Sequence, residues 1–417
     1  MKHSSPRRPT SYWSLLLALG ILTSWTTPSY SDWLAGDYRL SSVFRFNDQT
    51  GVELPGNIPA GTAGLESAAG VAVGPNGNWY VSSQDTGEIL HFDGVTGAPL
   101  PSPIPGGRDG LFANMRTEIN PNGAPGPIRF GPDNNLYVSD YGGSRLRKFN
   151  PTTGEELASA ATGLGPPGGF AFGPDGDLYV GNFGASAIIR VHNGVQSFFV
   201  LPGVTPMSTP SSLLFLPDGD LLVVSMFRNA IHRFSSAGAY RGVFASIDPV
   251  PPPIDNTNYP SDIAFDQDGN VVLAVLGPTN PPDNRGQILR YALAEGSVAG
   301  TLVDTLVDTY PPLSSLAWIR SANAIPGDYN SDGQVDAGDF AKWQSNFGKW
   351  VAKGGGADGT GDGVVDAADY VFWRNLVAGG SGPSVILTVP EPVAIHLLLW
   401  GILLDTWLRK RRRLGSG

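Results

Sequence analysis

Through the middle of the chain, apolar and polar residues alternate at a period of two in short runs, broken by Gly-Pro and Asp-Gly pairs. Such runs predict half-buried strands joined by tight turns. One figure recurs. It reads Val71-Ala-Val-Gly-Pro-Asn-Gly-Asn-Trp-Tyr-Val-Ser, then Ile128-Arg-Phe-Gly-Pro-Asp-Asn-Asn-Leu-Tyr-Val-Ser, then Phe170-Ala-Phe-Gly-Pro-Asp-Gly-Asp-Leu-Tyr-Val-Gly, with further copies at 213–225 and 263–275. Each copy predicts an apolar strand, a Pro-Asp-Gly type turn and a second alternating strand, which together form a hairpin. A third strand follows in every unit, beginning near Glu88, Arg145, Ala187, Ala230 and Gln287, and a fourth, weaker one leads into the next copy.

A four-stranded sheet of this kind cannot bury its faces alone, so units spaced about 40 to 57 residues apart imply the blades of a β-propeller. The blade count comes from residue 32 onward. There Asp32-Trp-Leu-Ala-Gly-Asp-Tyr-Arg-Leu-Ser-Ser-Val-Phe-Arg-Phe-Asn aligns without a gap on Asn135-Leu-Tyr-Val-Ser-Asp-Tyr-Gly-Gly-Ser-Arg-Leu-Arg-Lys-Phe-Asn. The ring thus enters at the second strand of a blade whose first strand is Ser315-Leu-Ala-Trp-Ile-Arg, and pairing of the two ends leaves no open sheet edge. Five whole copies and this shared one predict six blades over 32–322. The repeats resemble NHL-type and gluconolactonase-like six-bladed propellers, a resemblance that implies the fold and specifies no function.

After the ring the pattern changes to two aspartate-rich loops, 328–339 and 358–369. Asp328, Asn330, Asp332, Asp336 and Asp339 fall at positions 1, 3, 5, 9 and 12 of the first, with Gly333 at position 6 where the chain must turn sharply. The second repeats the plan with Asp358, Thr360, Asp362, Gly363, Asp366 and Asp369, and position 7 offers the carbonyls of Gln334 and Val364. Oxygen ligands at this spacing suit a hard cation, so two Ca2+ sites are expected. Position 12 is Asp, and an Asp-aromatic-x-x-Trp figure follows each time: Asp339, Phe340, Trp343 and Asp369, Tyr370, Trp373. Residues 326–379 resemble a type I dockerin of the kind common in planctomycete secreted proteins. The resemblance implies a small α-helical calcium-binding domain and a cohesin-like partner. A calcium-stapled appendage without such a partner is the other reading. The fold class expected is therefore mainly β, a six-bladed propeller followed by this small helical domain.

The two ends of the chain bear on where it works. Lys2, Arg7 and Arg8, an apolar stretch at 15–22 and small residues at Ser29 and Ser31 read as a secretory signal peptide cut after Ser31. A linker at 380–388 leads to Val389-Pro-Glu-Pro, an apolar run at 393–408 and five basic residues ending at Arg413. This tail, 389–413, resembles a PEP-CTERM sorting signal, which implies processing by sorting machinery at the membrane and a secreted or cell-surface location. A plain C-terminal anchor is the alternative. Together the two signals hold eight of the 27 bases and two of the 37 acids. Their removal leaves 19 against 35, a net charge of −16, which argues against a nucleic-acid partner. The absence of cysteine excludes disulfides, thiolate metal sites and a cysteine nucleophile.

On the ring, an aromatic recurs between second and third strands: Tyr38, Tyr141, Phe183 and Phe227. If the four rings face one way they form a rim for stacking on sugar rings or peptide side chains, with Asp37, Asp140 and Asn182 as hydrogen-bond partners. The competing reading packs each ring between blades. His91, His192 and His232 lie in third strands, away from the axis, and Asp175, Asp218 and Asp268 belong to turns. Glu66 does not match the metal-holding Glu of gluconolactonase-like propellers, and no catalytic residue is assigned. Longer loops at 94–127, 248–259 and 277–285 name no ligand. The reading that results is a calcium-binding surface or matrix protein whose propeller recognises an extracellular polysaccharide or protein. A propeller hydrolase or lyase acting on a carbohydrate or lactone, and a purely structural surface component, are the alternatives.

Overall fold

A computed structural model describes residues 31–118, 120–247, 258–277, 286–294, 296–309, 312–320 and 324–379. The expected signal peptide, the linker, the sorting tail and most of the two Pro-rich loops lie outside these residues. Among the described residues no helix is long and apolar enough to cross a membrane.

Among the described residues, five antiparallel sheets have four strands and a sixth has three. Blade 1 is built from Ala68–Val73, Trp79–Ser83, Glu88–Phe92 and Leu111–Asn114, and blade 2 from Pro125–Phe130, Leu136–Asp140, Arg145–Phe149 and Glu156–Thr162. Blade 3 comprises Pro167–Phe172, Leu178–Asn182, Ala187–His192 and Val195–Val200; blade 4 comprises Pro210–Phe215, Leu221–Ser225, Ala230–Phe234 and Tyr240–Ser246. Blade 5 runs Pro260–Phe265, Val271–Val275, Gly286–Ala292 and Thr301–Thr309. The first strands of successive blades touch one another in a closed cycle, so they line the axis. Blade 6 closes the ring as the sequence alignment predicts: Asp32–Asp37 pairs with Ser315–Ile319 on one side and Ser42–Asn47 on the other. Its fourth strand is reduced to isolated bridges at Glu53 and Ile58. Pro55 and Pro59 in that stretch bring no N–H to a ladder.

Neighbouring blades lock through a repeated aromatic pair. Tyr80, Tyr137 and Tyr179 of the second strands meet Phe130, Phe172 and Phe215 of the next blade edge-on, with centroids 5.1, 5.1 and 4.8 Å apart. The glycine of each Gly-Pro turn makes this possible. A Cβ at Gly74 would lie 2.8 Å from the Tyr80 ring, and one at Gly131 would lie 2.5 Å from Tyr137. In the same turns Asp175 and Asp218 accept the N–H two residues on, at 3.1 and 3.0 Å, as Asp side chains in turns do. Asp268 is used differently, in an ion pair with Lys342 at 2.7 Å. The histidines stay off the axis: His91 is buried beside Tyr80 and Phe112, His232 is buried beside Tyr240, and His192 holds Asp177 on the surface.

Among the described residues two helices follow the ring, α1 (Ala337–Asn346) and α2 (Ala367–Gly379). Asp336 and Asp339 form a capping box at the start of α1, satisfying amides that the first turn leaves free. Tyr329, Trp343, Val351, Ala357, Val365 and Trp373 make a separate small core, with Phe340 stacked 5.6 Å from both Trp343 and Trp373.

Candidate functional site

In each blade the residue just past the second strand stands at the same end of the ring: Tyr38, Gln84, Tyr141, Phe183, Met226 and Leu276. With Ala69, Pro127, Ser211, Ser261 and Ser314 from the starts of first strands, they line an opening of about 360 Å3. The backbone fixes them. The N–H groups of Tyr141, Phe183, Met226 and Leu276 donate to the carbonyls of Ala124, Pro166, Thr209 and Tyr259 at 3.0 to 3.2 Å, so each side chain is delivered from the same turn.

Aromatic rings form an arc across blades 2 to 5. Tyr141 meets Phe183 at 5.8 Å, Phe183 meets Phe227 at 6.5 Å, and Phe227 meets Tyr259 at 5.7 Å, all edge to face. Tyr38 and Phe227 are 38% and 55% exposed, while Tyr141, Phe183 and Tyr259 are half-buried. The rings of the arc pack on one another, and Tyr141 and Phe183 among them also line the opening, as does Tyr38, whereas Phe227 and Tyr259 do not. Phe227 is not the equivalent of the other three. It sits one residue further on, in the short helical turn Met226–Arg228, and Met226 occupies the lining position. Gln84, Met226 and Leu276 break the aromatic pattern, and aligning the units one step past the second strand finds them; Tyr259 lies ahead of a first strand, outside that alignment.

The predicted hydrogen-bonding partners lie beneath the rings and are engaged in the turns. Asp37 Oδ1 accepts the N–H groups of Arg39 and Leu40 at 2.8 and 3.0 Å. Asp140 accepts the N–H of Gly143 at 2.9 Å and is flanked by Arg145 and Arg147. Asn182 accepts from Ala185 at 2.8 Å and donates to the Leu164 carbonyl at 2.6 Å. None of the three lines the opening. Asp37 is fully buried, which raises its pKa, and its Oδ2 has no hydrogen-bond partner among the described residues.

Deeper in the axis an ion pair crosses the ring. Arg129 of blade 2 reaches Asp262 of blade 5, its opposite number, at 2.6 Å and also donates to the Ser212 hydroxyl at 3.0 Å. Ser212 donates to Asp262 at 2.6 Å, and the carboxylate's other oxygen accepts the N–H of Leu316 at 3.0 Å. Glu66 is exposed and takes no part.

The two aspartate loops share one hydrogen-bonding scheme. Asp328 accepts the amides of Asp332 and Gly333, and Asp358 accepts those of Asp362 and Gly363. Asp339 accepts the amides of Asn330 and Asp336, as Asp369 does those of Thr360 and Asp366. Gly333 and Gly363 have φ of 88° and 93°, which a side chain would resist. Asp332 and Asp362 accept the amides of Gln334 and Val364, and Asp336 and Asp366 those of Gly338 and Ala368. Asp339, Asp358 and Asp369 are almost wholly buried, and burial raises the pKa of Asp339 and Asp358. Among the described residues no three acidic or imidazole side chains converge into a compact metal cluster.

No known protein family and no curated protein matches this chain. Solved structures do. A protein of unknown function from Bacteroides caccae is 17% identical with a TM-score of 0.51, covering 70% of this chain and 99% of its own. A nidogen and laminin complex aligns at 14% identity and a TM-score of 0.49, covering 70% and 99%. A virginiamycin B lyase from Staphylococcus aureus aligns at 18% identity and a TM-score of 0.42, covering 63% and 82%. At these identities the likeness concerns the propeller fold alone.

Proposed function

We propose that the chain is an exported binding protein whose aromatic opening receives an uncharged ligand, a sugar unit of an extracellular polysaccharide or an apolar group of a protein. The observation that carries this reading is the lining itself. In a chain of net charge −10, every described residue bordering the opening is neutral. Among the described residues a phosphate or carboxylate would meet no cation there, whereas ring faces and one carboxamide, Gln84, suit a neutral, hydroxyl-bearing or apolar group. The hydrolase or lyase alternative is weakened at the axis, since Asp262 is already neutralised by Arg129.

The same proposal gives the C-terminal module two Ca2+ ions and a docking role toward a cohesin-like domain. Its support is electrostatic. Three carboxylates, Asp339, Asp358 and Asp369, are buried, and none pairs with a lysine or arginine among the described residues. A buried carboxylate without counter-charge costs several kcal/mol. Asp328, Asn330, Asp332, Gln334, Asp336 and Asp339 would hold one ion, and Asp358, Thr360, Asp362, Val364, Asp366 and Asp369 the other. Bound Ca2+ would supply the missing positive charge. Export by the N-terminal signal, with sorting at the membrane by the tail, completes the proposal.

Titration calorimetry tests it. The chain should take up two Ca2+ ions, and Asp328→Ala and Asp358→Ala should each remove one. A third ion surviving both changes would put a metal in the ring and revive the enzymatic alternative. For the opening, a neutral glycan panel should give binders that Tyr141→Ala or Phe183→Ala abolishes; binding only to anionic glycans would overturn the ligand class.

A further inference from the structure

The segment between the two helices, residues 348–356, is a strap with partners on both sides. Toward the second aspartate loop, Gly348 N–H donates to Val365 O at 2.8 Å, Val351 N–H to Gly363 O at 3.0 Å, and Val365 N–H to Lys349 O at 2.9 Å. Gly354 N–H donates to Asp358 Oδ2 at 2.8 Å, the same oxygen that accepts Gly363 N–H at 2.7 Å. Toward the propeller, Ala352 N–H donates to Asp266 O at 2.9 Å, in the turn joining the first two strands of blade 5. That turn lies at the end of the ring away from the aromatic opening.

Side chains reinforce the contact. The Trp350 indole packs against two apolar clusters of the ring, one including Leu273 and Tyr291 of blade 5, the other including Leu221 and Phe234 of blade 4. Lys342 of α1 pairs with Asp268 at 2.7 Å. Glycines let the backbones meet: a Cβ at Gly356 would lie 2.3 Å from Gln267 O, and one at Gly269 would lie 2.8 Å from Trp350 O. A linker that merely tethered two units would need neither an indole set under two blades nor glycines at the seam.

We propose that the lower rim of blades 4 and 5 is the docking surface for this chain's own C-terminal module, and that a Ca2+ ion in the second loop locks the strap in place. The locking half rests on the calcium reading above; the docking half does not. Asp358 stands at the first ligand position of its loop and also receives the strap's Gly354 N–H. A cation that fixes the Asp358 carboxylate therefore fixes the strap, and through Ala352 it fixes the turn at Asp266. The upper opening stays free for its ligand.

Hydrogen exchange on the full chain, with and without Ca2+ and with calorimetry alongside, tests both halves. Added Ca2+ should slow exchange of the Ala352 amide and of the amides at 266–270 by about tenfold or more, since local opening must now break the lock. Trp350→Ala should still bind two ions yet lose the slowing at 266–270; if it fails to fold, Lys342→Ala serves as the milder variant and should lose part of it. Two ions bound with no change at 266–270 would overturn the lock. Equal exchange at 266–270 in the native chain and the variant would overturn the docking. No uptake in the calorimeter would remove the calcium reading and the lock together, and leave the docking to be judged by the variant alone.

Discussion

The two ends of the ring are made of opposite chemistry from the same repeat. At the upper end each blade contributes one neutral residue past its second strand, and two of them, Tyr141 and Phe183, pack edge to face beside an opening. At the lower end the turns between first and second strands carry acids, answered by third-strand bases: Arg190 by Asp177, Arg233 by Asp220 and Arg290 by Asp266. A repeat that puts one turn type at one end in every blade gives that end a uniform character. The neutral opening and the contact with the C-terminal helices are thereby separated by the depth of the ring, and the proposed ligand binding at one end should be alterable without the packing at the other.

The harshest way to break that separation is at the axis between the ends. Asp262→Ala would leave Arg129 inside the ring without its counter-charge, for a loss of about 3 to 4 kcal/mol in a urea unfolding series. Adding Arg129→Leu to the first change should recover most of the loss, since removal of both partners leaves no stranded charge. A single-variant cost below about 1 kcal/mol would mean that the pair does not hold opposite blades together.

Next in size is a pH effect in the wall between the ends. Burial, and secondarily Arg228, pushes the His232 pKa from 6.5 down to about 4, and burial lowers His91 as well. Below pH 6.5 the unfolded chain binds protons that the folded chain refuses, so stability is lost as pH falls from 6.5 to 4. For His232 the loss is roughly 3 kcal/mol. Denaturant midpoints at pH 7 and pH 4.5 check the sign, and His232→Gln should flatten the slope.

At the lower end, Trp350→Ala removes a half-buried indole from beneath two blades, for a loss of about 2 kcal/mol in propeller stability. Its effect on ligand binding at the upper opening should be nil. A change in ligand affinity in this variant would show that the two ends communicate.

Much of this architecture was legible because the repeat writes it many times. The ring closure followed from the alignment of residue 32 onward with residue 135 onward, and the register Asp32 to Ile319 bears it out. What stayed hidden is whatever depends on contacts that no repeat encodes. Arg129 and Asp262 lie in opposite blades at different steps of their first strands, so neither stands out in the unit it belongs to. Tyr259 precedes its strand, where aromatics were not sought, and its φ of 44° turns it toward Phe227. Blade 6 has three strands because Pro55 and Pro59 spoil the fourth, a local chemical fact that the count of repeats passes over. Asp37, Asp140 and Asn182 were expected as hydrogen-bond partners for a ligand, but short polar side chains at strand ends bond their own turns, as these three do.

The smallest stability change should accompany the most informative binding change, at the upper end. Phe227 is 55% exposed, so Phe227→Ala should shift stability by no more than about 0.5 kcal/mol. Phe183 touches rings on both sides, Tyr141 and Phe227, and its replacement by Ala should cost about 1 to 2 kcal/mol through lost ring contacts. If the arc is a stacking platform, both variants should weaken binding of a neutral ligand, by about fivefold for each ring face lost. The pair separates two roles that one variant would confound. A binding loss in Phe183→Ala alone would follow its stability loss and assign the arc to packing, whereas a loss in the stable Phe227→Ala leaves recognition as the work of the exposed face.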